Sequence, residues 1–438
     1  MMSFDTCLRE AARSHGVALG DAIEPFALLP YDSELQVKRA GLAAFLRAIR
    51  VAPELVDALV PAPLPRGYRT TSRRRAEFSR GRARLAHGGG GDARTASPLE
   101  PAAHGAVYAT VERLLAAMTP AIAHAVNHVI LRGSYEQLVL ILNVRALDAR
   151  IVRSVRTLAE RVAERHPAVQ HAWIYHDPTG SRYYLELERP VSGVGAKKLF
   201  GAAAWRQQVG DVSHQVGVFS FTQVNLAMAP LLVDTVKRHA QVARDDVLWD
   251  LYCGYGLFAA AFAKDVARLV AVDADDATVD NARWVVQRAG GKVTALCHAL
   301  RGGEDIARLA RAAGRPAPRP APQSDSRAHR AQRAHDAAER PSSDPPRAQP
   351  RGNAPAGGAR HIVLLDPPRA GTPPGLIAAV TEVLRPGRAV EVFCGPEELA
   401  RSVEEWAASG YPLERLTPLD LFPGTTGLEL VASFAPAC

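Results

Sequence analysis

Hydrophobic and polar positions follow one rhythm before about residue 212 and another after it. Between residues 107 and 188 the pattern predicts helices over VYATVERLLAAMTPAIAHAV and IVRSVRTLAERVAERH, and strands over HVILRG, QLVLILNV, WIYH and YYLELE. After residue 212, buried strands, glycine-containing turns and helices follow one another repeatedly. The first rhythm is typical of an α+β domain, and the second of a Rossmann-like, doubly wound α/β sheet.

These patterns divide the chain into three predicted regions. A helical segment covers residues 1–65, a central α+β domain covers 66–211, and the α/β domain covers 212–438. The last region ends in LERLTPLDLFPGTTGLELVASFA, two strand-like runs joined by the turn PGTTG. We therefore expect an antiparallel hairpin at the edge of the parallel sheet.

The α/β domain contains a segment of unusual composition. Residues 311–358 consist mainly of Pro, Ala, Arg, Ser and Gly, with too few apolar side chains to build a packed core. We predict a disordered insertion here. It is either an expanded surface loop that the fold tolerates or an electrostatic tether for a nucleic acid.

Much of the positive charge lies in two segments. The net charge is +8, and residues 66–84 hold eight arginines against one glutamate, while 311–360 hold ten arginines against four acidic residues. The rest of the chain is mildly acidic. This distribution indicates a nucleic-acid partner, with a purely solvent-exposed basic face as the alternative for 66–84.

The composition argues against several other classes of protein. No run of about 18 apolar residues occurs, and the N-terminus lacks the features of a secretory signal, so we expect a cytoplasmic protein that does not enter a membrane. The five cysteines lie far apart, which gives no pattern for disulfides, a metal site or an iron–sulfur cluster. The sequence does not fix the oligomeric state, although we favour a monomer.

The first motif with chemical meaning is VLWDLYCGYGLFAAAFAKDVARLVAVDAD, which begins at residue 247. It predicts a strand, a tight turn, a helix and a second strand that ends at Asp273. Gly254 and Gly256 in the turn allow a ligand to approach the backbone closely, and Asp273 can accept hydrogen bonds from ribose hydroxyls. The third glycine of the dinucleotide fingerprint is absent, which favours S-adenosylmethionine (SAM) over a pyrophosphate cofactor. A purely structural turn is the alternative.

A second acidic residue is predicted at the same edge of the sheet. HIVLLDPPRAG, from residue 361, reads as a buried strand that presents Asp366 at its carboxyl end, where two prolines stop it. Enzymes that methylate exocyclic amines of bases usually have an aromatic residue after Asp-Pro-Pro, and Arg369 stands there instead. The motif therefore favours a different reaction on a base.

Two further residues are candidates for catalysis. Cys394 follows the predicted strand RAVEVF and precedes a helix N-terminus, where partial positive charge favours a thiolate. Glu429 lies in the otherwise apolar run LELVASF and could be a general base with a raised pKa. The alternatives are a buried structural cysteine and an outward-facing carboxylate at the sheet edge.

Together these motifs resemble the RNA (uracil-5)-methyltransferase family, which forms ribothymidine in tRNA and 5-methyluridine in large-subunit rRNA. The resemblance covers the chain outside the insertion. It rests on an ordered set of five motifs: FTQVN at 221–225, DLYCGYGLF at 250–258, LLDPPRAG at 364–371, VFCGP at 392–396 and DLFPGTTGLELV at 420–431. YDSELQVKRAGLAAFL and GYRTTSRRRAEF are similar to the opening helix and the basic strand of the family.

The resemblance implies a role for each motif. Cys394 would be the nucleophile that adds to carbon 6 of a uracil, and Glu429 would be the base that removes the proton from carbon 5. The SAM site would be lined by Gln223, Tyr252, Asp273 and Asp366. The basic segment 66–84 would hold RNA while the uridine is flipped out. The chain has neither the four-cysteine cluster motif nor the OB-like domain of many rRNA-modifying members, which favours tRNA over rRNA as the substrate.

The chain departs from the family pattern at three glycines. Gly395 stands where an asparagine usually follows the cysteine, and Gly424 and Gly427 stand where histidines are usual near the base. Lost side-chain hydrogen bonds at these positions could change the activity. Two alternatives stay open: a non-catalytic RNA-binding or RNA-folding relative of this family, which these three glycines suggest, and a SAM-dependent methyltransferase of small molecules, which the cofactor motifs allow.

Overall fold

The computed structural model describes residues 3–20, 23–79, 82–87, 96–178, 195–314 and 359–437. The predicted strand YYLELE at 183–188 lies outside the described residues, and so does the predicted insertion from residue 315 to 358. Within the described residues, no helix is both long enough and apolar enough to cross a membrane.

Two helices open the chain and pack against each other. They are α1 (Phe4–Ser14) and α2 (Tyr31–Ala48), followed by a short 3-10 helix at Pro53–Leu55. A Cβ added at Gly41 of α2 would lie 2.8 Å from Leu8 Cδ2 of α1, so the glycine allows the helices to approach closely. Their buried side chains belong to the same hydrophobic cluster as one face of the C-terminal sheet. The helical segment is thus packed onto the α/β domain.

The central part of the chain forms a six-stranded sheet with the order β2-β1-β3-β4-β5-β6. Its strands are β1 (Ser72–Ser79), β2 (Arg82–Ala86), β3 (Val126–Gly133), β4 (Leu138–Val144), β5 (Val169–His176) and β6 (Gly195–Phe200). The helices are α3 (Ala102–Ala116), α4 (Pro120–Ala123) and α5 (Ala149–Arg165). The long helix predicted from residue 107 is interrupted because Pro120 cannot continue it and begins a new turn instead.

One face of the six-stranded sheet packs on the C-terminal part of the chain. Ile130, Val139 and Ile141 share a core with side chains of the C-terminal sheet and its helices. A separate hairpin of β7 (Ala204–Val209) and β8 (Val212–Gly217) joins this core and leads into the α/β domain. The mixed α+β character predicted for this region is confirmed.

The α/β domain is a seven-stranded sheet with the order β11-β10-β9-β12-β13-β15-β14. Its strands are β9 (Val247–Leu251), β10 (Arg268–Asp273), β11 (Val293–Cys297), β12 (His361–Leu365), β13 (Arg388–Phe393), β14 (Leu413–Leu419) and β15 (Glu429–Phe434). The helices are α6 (Ala229–Ala240), α7 (Leu257–Ala261), α8 (Asp276–Arg288), α9 (Gly303–Ala312), α10 (Leu376–Ala379) and α11 (Leu399–Ala408), with a π-helix at Val380–Leu384 and a 3-10 helix at Pro396–Glu398.

The strand order creates a crevice at one edge of this sheet. The first five strands of the order are parallel, whereas β15 is antiparallel to both of its neighbours. The chain runs outward from β9 to β11, then returns to the other side of β9 with β12. Ligands of doubly wound folds bind at the carboxyl ends of strands where the order reverses, here between β9 and β12. The predicted doubly wound sheet with an antiparallel C-terminal hairpin is confirmed.

A buried cluster of charges joins α2 to the loop between β14 and β15. Lys38 Nζ donates to Glu34 Oε1 at 2.8 Å and to Asp420 Oδ1 at 2.7 Å, and all three side chains are inaccessible to solvent. Glu34 also accepts hydrogen bonds from Arg66 and from the backbone N–H of Gly424, at 3.0 and 2.6 Å. The cluster fixes the loop that precedes Glu429 to the N-terminal helices.

We expect Lys38→Met to lower the free energy of unfolding by about 3–5 kcal/mol, because Glu34 and Asp420 would stay buried after losing their shared cation. Urea denaturation followed by circular dichroism measures the change. Arg9→Ala is the control, since it breaks an exposed pair with Asp5 on α1 and should leave the midpoint where it is. A Lys38→Met midpoint equal to that of the wild type would show that the cluster does not stabilise the fold.

Candidate active site

The turn after β9 forms one wall of the crevice. Tyr252, Gly254 and Gly256 have positive φ values of 66°, 52° and 85°. A Cβ at Gly256 would lie 2.8 Å from the Ala282 Cα, so this glycine is required by the packing of the turn on α8. A Cβ at Gly254 would meet nothing within 4 Å. The space in front of Gly254 is therefore open to a ligand, as the sequence predicts.

Asp273 holds this turn in place from the end of β10. Its Oδ2 accepts a hydrogen bond from the Gly254 N–H at 2.9 Å, and its Oδ1 accepts one from the Asp275 N–H at 3.2 Å. Burial raises the pKa of Asp273 above its ordinary value, while these backbone donors oppose the shift. Each carboxylate oxygen can accept a further hydrogen bond, so the contacts are compatible with the predicted role toward ribose hydroxyls.

The segment 221–225 carries Gln223 and forms hydrogen bonds with two distant parts of the chain. The Val224 carbonyl accepts the Thr70 N–H at 2.9 Å, and the Asn225 side chain donates to the Leu421 carbonyl at 2.9 Å. Gln223 itself is buried. The structure thus connects this segment to the loop that leads to Glu429.

Tyr252 follows β9 directly and is half-buried. Its hydroxyl oxygen is buried and has no hydrogen-bond partner among the residues that the structure describes. Burial raises the pKa of this phenol, and the charge of Glu391 adds to the shift. An unpaired buried hydroxyl costs free energy unless a ligand pairs with it, so Tyr252 is suited to hold a polar ligand in the crevice.

Asp366, Cys394 and Glu429 come together at the carboxyl ends of β12 and β13 and at the start of β15. One ligating atom from each lies within 4.8 Å of the other two. The Cys394 Sγ donates to Glu429 Oε1 at 3.9 Å, and Glu429 Oε2 is buried with no hydrogen-bond partner among the described residues. Cys394 and Glu429 lie close together because their neighbours in sequence, Phe393 of β13 and Leu430 of β15, are paired across the two strands.

The electrostatics of this trio differ from the expectation for Cys394. Burial, followed by the charges of Glu429 and Asp366, raises the pKa of the thiol far above its ordinary value. Burial and the Asp366 charge also raise the pKa of Glu429, and burial raises the pKa of Asp366 to about 7. Arg369 opposes the shifts of Cys394 and Glu429. Desolvation and the two carboxyl groups therefore oppose the stabilisation of a thiolate that the helix N-terminus predicts.

A cavity of about 570 Å³ opens beside Cys394. The loop before Glu429 contributes Phe422, Thr425, Thr426 and Gly427 to its wall, and the segments after β12 and β13 contribute Pro367, Arg369 and Gly395. Phe4 of α1, Ile23 and Arg69 line it from the N-terminal side. Phe4 and Ile23 are not among the residues predicted from the sequence, and Arg69 is predicted only as one arginine of the basic segment 66–84. The hydrophobic pattern does not distinguish Phe4 or Ile23 from ordinary apolar residues.

The structure explains one of the three unusual glycines. Gly424 has a φ of 85°, and an added Cβ would lie 2.3 Å from Leu99 Cδ2, so neither the backbone nor the packing accepts a histidine there. Gly395 has an extended backbone with a φ of 171°, and its Cβ would meet the flexible end of Glu397. Gly427 faces the cavity beside the Phe422 ring. Gly424 therefore has a structural role, whereas the conformation does not require glycine at 395.

Comparisons with known proteins agree with the family resemblance. Residues 210–298 match a family model described as tRNA (Uracil-5-)-methyltransferase. An uncharacterized RNA methyltransferase of Chlorobaculum tepidum is 27% identical over 231 residues, which cover 53% of this chain and 39% of the relative. One from Nitratidesulfovibrio vulgaris is 26% identical over 290 residues, which cover 64% of this chain and 53% of the relative. The chain thus spans between about two fifths and one half of these relatives.

A solved structure shows the same fold along almost the whole chain. The tRNA (uracil-54, C5)-methyltransferase of Pyrococcus abyssi, crystallised with S-adenosyl-L-homocysteine, superposes with a TM-score of 0.62 at 17% identity and covers 96% of this chain and 88% of its own. The family prediction made from the five motifs is confirmed by the matching model and the named relatives. The chain has a class I methyltransferase fold and is similar to the RNA (uracil-5)-methyltransferases, whose family model matches residues 210–298.

Proposed function

We propose that this protein transfers a methyl group from SAM to carbon 5 of a uridine in structured RNA, with tRNA as the favoured substrate. Cys394 would add to carbon 6 of the uracil, and Glu429 would remove the proton from carbon 5. The observation that carries the proposal is the 3.9 Å approach of these two side chains at the mouth of the cofactor crevice. A thiol and a carboxyl group in contact supply the nucleophile and the base that this reaction needs.

The crevice has features that suit SAM. Gly254 leaves open space at the end of β9, and the Tyr252 hydroxyl is buried without a partner among the described residues. The residues that would hold the cofactor are Gln223, Tyr252, Gly254, Gly256, Asp273 and Asp366. When bound, SAM supplies the methyl group and a positive charge, and the acidic surroundings of Cys394 favour such a charge.

The chemistry of uracil explains the division of labour between the two residues. Carbon 5 is a weak nucleophile until a thiolate bonds to carbon 6, which moves the electrons of the 5,6 double bond into an enolate. After the methyl group is on carbon 5, a base must take the remaining proton. The electrons of that bond then re-form the double bond and expel the Cys394 thiolate. Glu429 is buried beside Cys394, and in its ionised form this carboxylate would accept the proton.

RNA is the favoured substrate class for two reasons. The Pyrococcus abyssi neighbour acts on uracil-54 of tRNA by its description, and the matching family model is also described by tRNA. The cavity beside Cys394 has a volume of about 570 Å³, enough for a nucleobase, and two arginines on its wall, Arg69 and Arg369, suit an anionic substrate. A base in structured RNA has to leave its stack to enter such a cavity.

The proposal predicts that the purified protein incorporates label from [methyl-³H]SAM into tRNA that lacks 5-methyluridine. The RNA is digested to nucleosides, and mass spectrometry identifies the product and its position. We expect 5-methyluridine in tRNA and no label in rRNA. Label in rRNA alone would contradict the tRNA preference, and methylation at another atom would contradict the reaction.

The same assay separates the alternatives. Binding of tRNA without any methyl transfer would support a non-catalytic RNA-binding relative. Transfer of label to a small-molecule extract, but to no RNA, would support a small-molecule methyltransferase. The fixed position of Gly424 weakens the case for a non-catalytic relative, because this departure follows from packing against Leu99 and from the bond to Glu34.

A further inference from the structure

The arginines of the basic segment 66–84 do not share one role. Arg66 is a structural residue, because its guanidinium donates to three backbone carbonyls of residues 26, 27 and 29 and to Glu34. Arg74 is fully buried, donates two hydrogen bonds to Glu100 at 2.9 and 2.6 Å, and lies 4.6 Å from the ring centre of Tyr108. These two positive charges are neutralised inside the fold and are therefore poorly placed to bind RNA.

Arg69 is placed differently, at the cavity that contains Cys394. Its backbone N–H donates to the Leu99 carbonyl at 2.8 Å, and its backbone bridges to Asn225 of the segment that carries Gln223. The side chain lines the cavity. These backbone contacts hold Arg69 beside the segment that carries Gln223, and Arg69 shares the wall of one cavity with Cys394.

The guanidinium of Arg69 is paired only in part, because the Tyr68 hydroxyl and Glu24 lie beside it but one of its nitrogens lacks a partner among the described residues. Its Nε is buried and has no hydrogen-bond partner among the described residues. Its nearest acid is Glu24, at 3.9 Å from Nη1, and that carboxylate already accepts two contacts from the Ser97 hydroxyl at 2.7 and 2.8 Å. A charged N–H that is buried without an acceptor is costly, so an acceptor from a ligand would stabilise it.

We propose that Arg69 binds the phosphate next to the flipped uridine and thereby positions the base over Cys394. The inference rests on the proposed function and adds a subsite to it. A guanidinium matches a phosphate in charge and geometry, with two parallel N–H donors for two oxygens. The uracil base is neutral, whereas every nucleotide that enters the cavity brings a phosphate, so the phosphate is the stronger partner for a cation.

The test uses a synthetic RNA hairpin that contains the uridine mapped in the methylation assay. In two further hairpins, a neutral methylphosphonate replaces the phosphate on the 5′ or the 3′ side of that uridine. We expect Arg69→Gln to lower kcat/KM on the natural hairpin about 10- to 100-fold, mainly through KM, because one charged hydrogen-bonding pair is lost. One methylphosphonate should lower the wild-type value by a similar factor and cause no further loss in Arg69→Gln.

Arg75→Gln is the matched control. Arg75 is an exposed residue of β1. The fold-losses in kcat/KM that Arg75→Gln and the methylphosphonate cause should therefore multiply, as expected for two independent contacts. Thermal melting and SAM binding show whether each variant is folded. Arg69 does not bind this phosphate if the losses in kcat/KM from Arg69→Gln and from the methylphosphonate also multiply. The same conclusion follows if Arg69→Gln has the wild-type kcat/KM, or if neither methylphosphonate lowers the wild-type value. Absence of methylation by the wild type would instead contradict the proposed function itself.

Discussion

Replacing Cys394 with alanine should abolish methyl transfer, with a loss of roughly 10³-fold or more in turnover. The proposed reaction has no other way to activate carbon 5, because the thiolate bond to carbon 6 creates the enolate. The fold should be unaffected, since Cys394 is half-buried at a strand end and alanine fits the same backbone. Incorporation of [methyl-³H]SAM into tRNA measures the loss.

A covalent readout makes this prediction specific. RNA that carries 5-fluorouridine should form a complex with the wild type that survives denaturing electrophoresis, because fluorine at carbon 5 cannot leave as a proton does. Cys394→Ala should form none. Cys297→Ser, a change at an exposed cysteine, should still form the complex. A stable complex with Cys394→Ala would show that another residue is the nucleophile.

Much of the α/β domain could be predicted because its signals are local. Each buried strand is a short apolar run, and the residues that follow these runs, such as Gly254 and Asp366, must meet at one edge of a parallel sheet. The hairpin of β14 and β15 was marked by its turn residues. Since Cys394 and Glu429 lie at the ends of neighbouring strands, their proximity also follows from the strand order.

Contacts between distant parts of the chain could not be predicted in this way. Nothing in the local sequence of α2 shows that Lys38 pairs with Asp420, which is 382 residues away. The basic segment also misleads when it is counted as a single patch, because Arg74 is buried against Glu100 while Arg69 lines the cavity. Burial decides these roles, and burial is a property of the folded chain.

The pKa of Cys394 shows the same limit in electrostatic terms. A helix N-terminus is visible in the sequence, and it favours a thiolate. The desolvation of the thiol and the nearness of Asp366 and Glu429 appear only in three dimensions, and they shift the pKa in the opposite direction. In the proposed reaction, the Cys394 thiol therefore has to transfer its proton to a neighbouring group before the sulfur adds to carbon 6.

Glu429→Gln should separate the two halves of the reaction. Glutamine keeps the shape of the side chain but cannot accept the proton from carbon 5, so methylation of the ring should proceed while release of Cys394 becomes slow. We expect turnover to fall roughly 10²- to 10⁴-fold, the range typical of losing a general base. Glu429 is buried, and its carboxyl group accepts a hydrogen bond from the Cys394 thiol. The amide of glutamine needs hydrogen-bond partners in the same place, so thermal melting is measured to show whether the variant is folded.

The distinguishing result is a trapped intermediate. With unmodified tRNA and [methyl-³H]SAM, Glu429→Gln should accumulate a labelled protein–RNA complex that withstands denaturation, whereas the wild type should release labelled tRNA. Glu404→Gln, a change at an exposed position on α11, should behave like the wild type. Wild-type turnover in Glu429→Gln would assign the proton to a different base. A folded variant that forms no complex at all would place Glu429 before the addition of Cys394 to the ring, as the acceptor of the thiol proton at 3.9 Å.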